Sequence, residues 1–232
     1  MNISTQRMRL FPLCPLMLVA LLCLLFASQV TAQQAADAGS GKPSAADLMF
    51  TARHTDGLHK AAILNNGFYV QHDYSRPWMQ AQSLEDLASA SDLVILGTVQ
   101  SERSELVRDG TGIETHYAIQ VDRILKGAQP QGVVDVVHHG GKVAFDDGTA
   151  AVVETPNQPV LLKGHRYALF LMNGEGHFRS VGEAQGTFEV DQNANWVHPH
   201  ATLSFDPLRK YSKLTPDQFI AQVQTIVNRE TR

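Results

Sequence analysis

Apolar and polar residues alternate most cleanly between Ser91 and Gly127, in SDLVILGTVQSERSELVRDGTGIETHYAIQVDRILKG. Ile113, Tyr117, Ile119 and Val121 fall on one side of a period-two pattern, with Glu114, His116, Gln120 and Asp122 on the other. Such alternation predicts a strand with one face in a core and one face wet. The run before it, Leu93 to Ser101, is apolar on both sides through its first half, which predicts a strand covered on both faces. Gly97 inside that run predicts a bulge or bend. Asp109-Gly110-Thr111-Gly112 supplies the turn between the two strands, and Lys126-Gly127 ends the second.

Shorter strands are predicted downstream at Gly132–His138, Ala150–Glu154, Arg166–Met172, His177–Val181, Thr187–Val190 and Asn195–His198. Glycine- and asparagine-rich punctuation separates them, as at Asn173-Gly174-Glu175-Gly176 and Asp191-Gln192-Asn193. Helical signals flank the strands. Ser83 with Asp86 three residues on caps a short helix over Ser83–Ser89. Thr215, Pro216 and Gln218 open a C-terminal helix whose Phe219, Ile220, Val223, Ile226 and Val227 form one apolar stripe. The expected fold is therefore mainly β: a small antiparallel barrel or a sandwich, with a short helix before the first strand and an amphipathic helix at the end.

The N-terminal part divides differently. Arg7 and Arg9 precede an unbroken apolar run of eleven residues, Leu16 to Phe26, and Val30-Thr31-Ala32 has the small residues of a cleavage site. That run is shorter than the roughly 20 residues a membrane span needs. Residues 1–32 are thus expected to be a signal peptide, placing the protein in the periplasm or outside the cell. Residues 33–46, QQAADAGSGKPSAA, have no period and read as a flexible tether. Gly39-Ser40-Gly41-Lys42-Pro43 lacks the spacing and the Ser or Thr of a phosphate-binding loop. Residues 47–82 read as an irregular arm packed on the later sheet, with Gly67–His72 a short strand. Residues 83–205 form the β domain and 206–232 the helix on it.

Cleavage changes the composition. Both cysteines, Cys14 and Cys23, leave with the leader, and each follows a leucine rather than the small residue of a lipid-anchoring signal. The remaining chain has no thiol for disulfides, thiolate metal sites or nucleophilic catalysis. Losing Arg7 and Arg9 turns 19 basic against 23 acidic residues into 17 against 23, about −6, with signs interspersed. Such a chain offers no basic stripe for a phosphate backbone, so nucleic acid is not an expected partner.

Catalytic signatures are missing residue by residue. No histidine is followed by glutamate, so no zinc-protease helix motif occurs, and no Gly-x-Ser-x-Gly elbow is present. Asp146-Asp147 stands before Gly148 and reads as a turn. Histidine is the unusual residue, with 10 in the chain, all after position 32. His138-His139 ends a strand before Gly140-Gly141, and His198-Pro199-His200 closes the last hairpin. Imidazoles at strand ends are candidate ligands for zinc or copper. Neighbours on a strand point to opposite faces, so His138 and His139 can join one site only if the backbone twists, whereas His198 and His200 share a face. Set against this is the ordinary role of rim histidines as hydrogen-bonding groups.

From Ser83 to Val190, about half the chain, the succession SDLVILGTV, YAIQVDRILKG, GHRYALFL and GEAQGTFEV resembles a bacterial exported module. It is similar to the netrin-like barrels of tissue metalloprotease inhibitors, which are OB-fold variants, and to modules beside matrixin-like proteases. The resemblance implies an OB or netrin-like barrel. It does not carry activity across, because the inhibitory N-terminal cysteine and the protease histidine helix are both missing. The expected function is a non-catalytic exported module that binds a protein, peptide or envelope ligand. A histidine-based periplasmic metal-binding protein and an enzyme with an unrecognised site stand as alternatives.

Overall fold

The computed structural model describes residues 42–54, 57–74, 80–128, 132–156, 158–191, 193–200 and 206–230. The chain divides into units 1–42 and 43–232. The expected signal peptide and all of the expected tether up to Gly41 lie outside the described residues. Two helices come first, α1 (Ala45–Ala52) and α2 (Gly57–Leu64), then β1 (Phe68–His72) and α3 (Leu84–Ala90). Strands follow as β2 (Leu93–Leu106), β3 (Ile113–Lys126), β4 (Val133–His139), β5 (Gly141–Ala144), β6 (Ala150–Glu154), β7 (Arg166–Asn173) and β8 (Phe178–Ser180). After a 3-10 turn at Glu183–Gly186 come β9 (Thr187–Asp191) and β10 (Trp196–Pro199). A longer 3-10 segment, Pro207–Lys213, leads into α4 (Pro216–Glu230). The protein is mainly β, with two sheets and a C-terminal helix.

The larger sheet has the order β10-β9-β7-β2-β3-β4-β8. β8 pairs with β4 through Val136 and Phe178 and also with β7 over three residues, so pairing runs from β7 through β2, β3, β4 and β8 back to β7. The inner side of that circuit holds Leu93, Ile95, Tyr117, Ile119, Val136 and Leu169. The opposite faces of β2 and β7 carry Val94, Leu96, Ala168 and Phe170, covered by α3, the Pro207–Lys213 segment and α4. This double burial is the reason β2 and β7 read as continuous apolar runs. The long β2–β3 ladder changes register between Leu96 and Gly97. A Cβ at Gly97 would sit 2.5 Å from Ile119 Cγ2 and 2.8 Å from the Gln120 carbonyl, so only glycine lets the strands close at this bend.

The capping signals operate as read. Ser83 Oγ accepts from the Asp86 N–H at 3.1 Å, and Thr215 and Gln218 exchange side-chain and backbone bonds at 3.0 and 3.3 Å. The arm is different from its expectation. Residues 47–82 are not irregular throughout: α1, α2 and β1 occupy much of the segment, and β1 joins β6 and β5 in a second sheet of order β1-β6-β5. The tether also ends early, because Ser44 and Asp47 form a capping box that starts α1. Helices of eight residues are too short to show a persuasive period, and the parallel β1–β6 pairing joins segments some 80 residues apart. Ile113 packs with this smaller unit, against Leu58 and Val153, rather than inside the main circuit. Among the described residues no helix is long and apolar enough to cross a membrane.

Candidate functional site

β4 and β5 are one strand bent at Gly140-Gly141, and the bend carries the chain from the larger sheet to the smaller one. Both glycines have left-handed φ, 93° and 134°. A Cβ on Gly141 would lie 2.3 Å from Thr115 Oγ1 and 2.7 Å from Ser104 Oγ. Thr115 donates to the Gly140 carbonyl at 2.7 Å, and Ser104 and Thr115 hydroxyls lie 2.8 Å apart. Gly141→Ala is expected to push these hydroxyls aside and cost about 2 kcal/mol through overpacking and backbone strain. Chemical denaturation of that variant would measure it, and an unchanged midpoint would show that the corner tolerates a side chain.

The chain returns to the larger sheet after β6. Between the return and the corner lies a cleft of about 670 Å³. Glu102, Ser104, Thr115 and Tyr117 line one side, His138 to Lys142 the floor, and Val152 to Pro156 with Gln158 to Val160 the other side. Thr155 Oγ1 and Gln158 Oε1 are buried there with no hydrogen-bond partner among the described residues. Burial raises the Tyr117 hydroxyl above its ordinary value, a bond from the Leu161 backbone opposes this, and the nearby Glu102 charge adds to it.

The four candidate histidines separate. His138 is buried, its Nδ1 3.1 Å from the Pro159 carbonyl and its Nε2 3.2 Å from Ser180 Oγ. Ser180 in turn meets Thr187 Oγ1 at 3.3 Å. A carbonyl only accepts, so Nδ1 carries the proton, Nε2 accepts from Ser180, and Ser180 accepts from Thr187. Burial holds His138 down to about 4, partly opposed by the Pro159 bond and reinforced by His200 and His139. His139 points outward, where Arg179 donates to its Nε2 at 2.8 Å and also grips Glu114 at 2.7 Å. Burial and the Arg179 charge lower His139, with Glu114 and Asp73 acting the other way. His198 is exposed and edge-on to Trp196, while His200 stands beside it with ring centres 5.6 Å apart. His200 Nε2 is 3.7 Å from Glu189 Oε2, and burial followed by His198 lowers this imidazole.

The structure thus brings His198 and His200 together, while His138 and His139 spend their ring nitrogens on other partners. Among the described residues no group of three or more His, Cys, Asp or Glu side chains could hold a metal ion. Two imidazoles fall short of the three or four protein ligands of a zinc centre. The Ser180–His138 pair has the spacing of a nucleophile and its base. Both members are buried, Ser180 does not line the cleft, and a carbonyl stands where an acid would orient the ring, so the pair ties β4 to β8. Sequence reasoning passed over Ser104, Thr115, Thr155 and Gln158. They are common residues on separate strands, and the only local signal for them is the Gly140-Gly141 doublet. No protein-family model matches the chain, and no curated protein matches its sequence.

Proposed function

We propose that the protein is an exported, non-catalytic binding module built on a small OB or netrin-like barrel, whose ligand enters the cleft at the Gly140-Gly141 corner. The circuit of pairing that links the five strands β7, β2, β3, β4 and β8 supports the barrel reading. The positively charged start, apolar run and small-residue site before Gln33 support export.

The observation that carries the binding reading is a pair of atoms unpartnered among the described residues, Thr155 Oγ1 and Gln158 Oε1, on one wall of one cleft. A buried polar group without a partner costs on the order of 1–3 kcal/mol. A ligand that pairs both atoms recovers that cost, which an inert surface has no means to do. The test is a panel of peptides, oligosaccharides and lipid headgroups screened by amide chemical shifts. At least one class should move Ser104, Gly141 and Gln158 saturably, and Thr155→Val/Gln158→Leu should weaken it about tenfold at equal or greater stability. A panel that leaves these amides unmoved, or binds the double variant equally well, would sink the proposal.

A further inference from the structure

The hydrogen bonds in the cleft have a direction. Thr115 has one O–H, and it is spent on the Gly140 carbonyl, which only accepts. The Ser104–Thr115 contact must therefore run from the Ser104 O–H to Thr115 Oγ1. Ser104 has no proton left to offer and presents only lone pairs. Among the described residues Gln158 Oε1 is likewise an acceptor without a donor. Glu102 and Glu154 add carboxylates to the lining, and Glu154 meets His72 through Oε2 at 3.0 Å.

Two further features narrow the ligand. Among the described residues Lys142 is the one lysine or arginine in the lining, set against two glutamates, and His139 Nε2 already accepts a hydrogen bond from Arg179. The lining therefore favours positive charge over negative. Among the described residues the lining also has no open tryptophan, tyrosine or phenylalanine face of the kind that stacks sugars or bases. Tyr117 is buried with the His138 ring edge-on at 5.2 Å. The apolar wall is instead aliphatic, from Val152, Pro156, Pro159 and Val160.

Resting on the cleft being the binding site, we propose that it receives the cationic N–H donor group of a peptide on the acceptor surface of Ser104, Gln158, Glu102 and Glu154. The group is either a free amino terminus or a lysine or arginine side chain. Ammonium and guanidinium groups have donors only, and a donor-only group satisfies a surface whose unspent capacity is to accept. Thr155 Oγ1, which can both give and take, suits the backbone beside it.

The probes are trialanine amide with its amino terminus free, the same peptide acetylated, acetyl-Ala-Lys-Ala-amide and acetyl-Ala-Glu-Ala-amide. Binding to the full mature chain is read from the amide shifts of Ser104, Gly141 and Gln158. One or both cationic probes should bind at least about tenfold tighter than the neutral peptide, and the acidic one weakest. Acetylation separates the amino terminus from the side chain as the source of the cation. Glu102→Gln, at an exposed position, should weaken the cationic probe about three- to tenfold without weakening the neutral one. Neutral or acidic peptides binding as tightly as cationic ones would overturn the inference. So would an oligosaccharide in the cleft, although the binding-module reading would then survive. Silence of every class at these amides would end both.

Discussion

Phe219→Ala is expected to destabilise the protein by about 4 kcal/mol, the largest single-residue effect in the molecule. Phe219 is fully buried in α4, its ring 4.9 Å from Phe188 and 6.4 Å from Tyr211. Phe188 stands in turn 5.8 Å from Phe170 on β7. The three phenylalanines run from the sheet into the helix, so truncating the last leaves a cavity between layers that cannot collapse without moving α4. The Leu84, Leu87, Val94 and Leu96 side chains share this cluster, and the loss should be felt across the whole unfolding transition. Urea denaturation should show a lower midpoint with an unchanged slope. Thr225→Ala, on the exposed side of the same helix, should stay within about 0.5 kcal/mol. A Phe219→Ala loss below about 1 kcal/mol, or one matched by Thr225→Ala, would mean that α4 is not part of the core.

The second large effect is a pH dependence carried by His138. Its folded value, about 4, lies below the ordinary 6.5, chiefly because burial disfavours the charged ring. Between those values the unfolded chain binds a proton that the folded chain refuses, so stability rises with pH across the window. The contribution is complete above about pH 6.5 and is lost as pH falls toward 4. At 1.36 kcal/mol per unit the loss reaches about 2.5 kcal/mol by pH 4.5 and about 3 below pH 4. His139 and His200 are also lowered and act with the same sign, while burial raises Glu183 and gives it the opposite sign. The comparison is therefore native protein against His138→Gln, each unfolded at pH 7.5 and pH 4.5. The native protein should lose about 2.5 kcal/mol more than the variant. Equal losses would show that the ring accepts its proton in the folded state at no cost.

Acid sensitivity at this position has a structural location. β4 and β8 share one backbone pairing, Val136 with Phe178, and side chains do the rest. His138 and Ser180 meet on the inner side, and Arg179 holds Glu114 and His139 on the outer side. The histidine that first drew notice as a candidate ligand is thus a closure of the sheet, and it also floors the cleft.

How much of this was legible differs from part to part. The β2–β3 hairpin, the bend at Gly97, the caps at Ser83 and Thr215 and the stripe on α4 were all readable, because each is written in neighbouring residues. β5 was not, since four residues after a glycine pair carry no period of their own. The candidate site was legible only in outline. The doublet Gly140-Gly141 marked a special backbone, but Ser104, Thr115, Thr155 and Gln158 are ordinary residues until the corner sets them side by side. Histidine abundance pointed toward metal chemistry, and the neighbours supplied by other strands turned His138 and His139 to different work.

By itself the sequence determined the β2–β3 hairpin, most of the later strands, α3 and α4, the mainly β class, the doubly covered strands and the absence of thiol chemistry after residue 32. These follow from local periodicity, capping and composition, which need no knowledge of distant contacts. Tertiary structure alone decided that β1 would leave the arm for a second sheet and that β8 would meet both β4 and β7. It also decided that the unspent hydrogen-bonding capacity of β2, β6 and the connection after β6 would face one cleft. The physical reason is that a partner's identity is set by where the chain returns, and pairing between distant segments leaves no trace in either segment read alone.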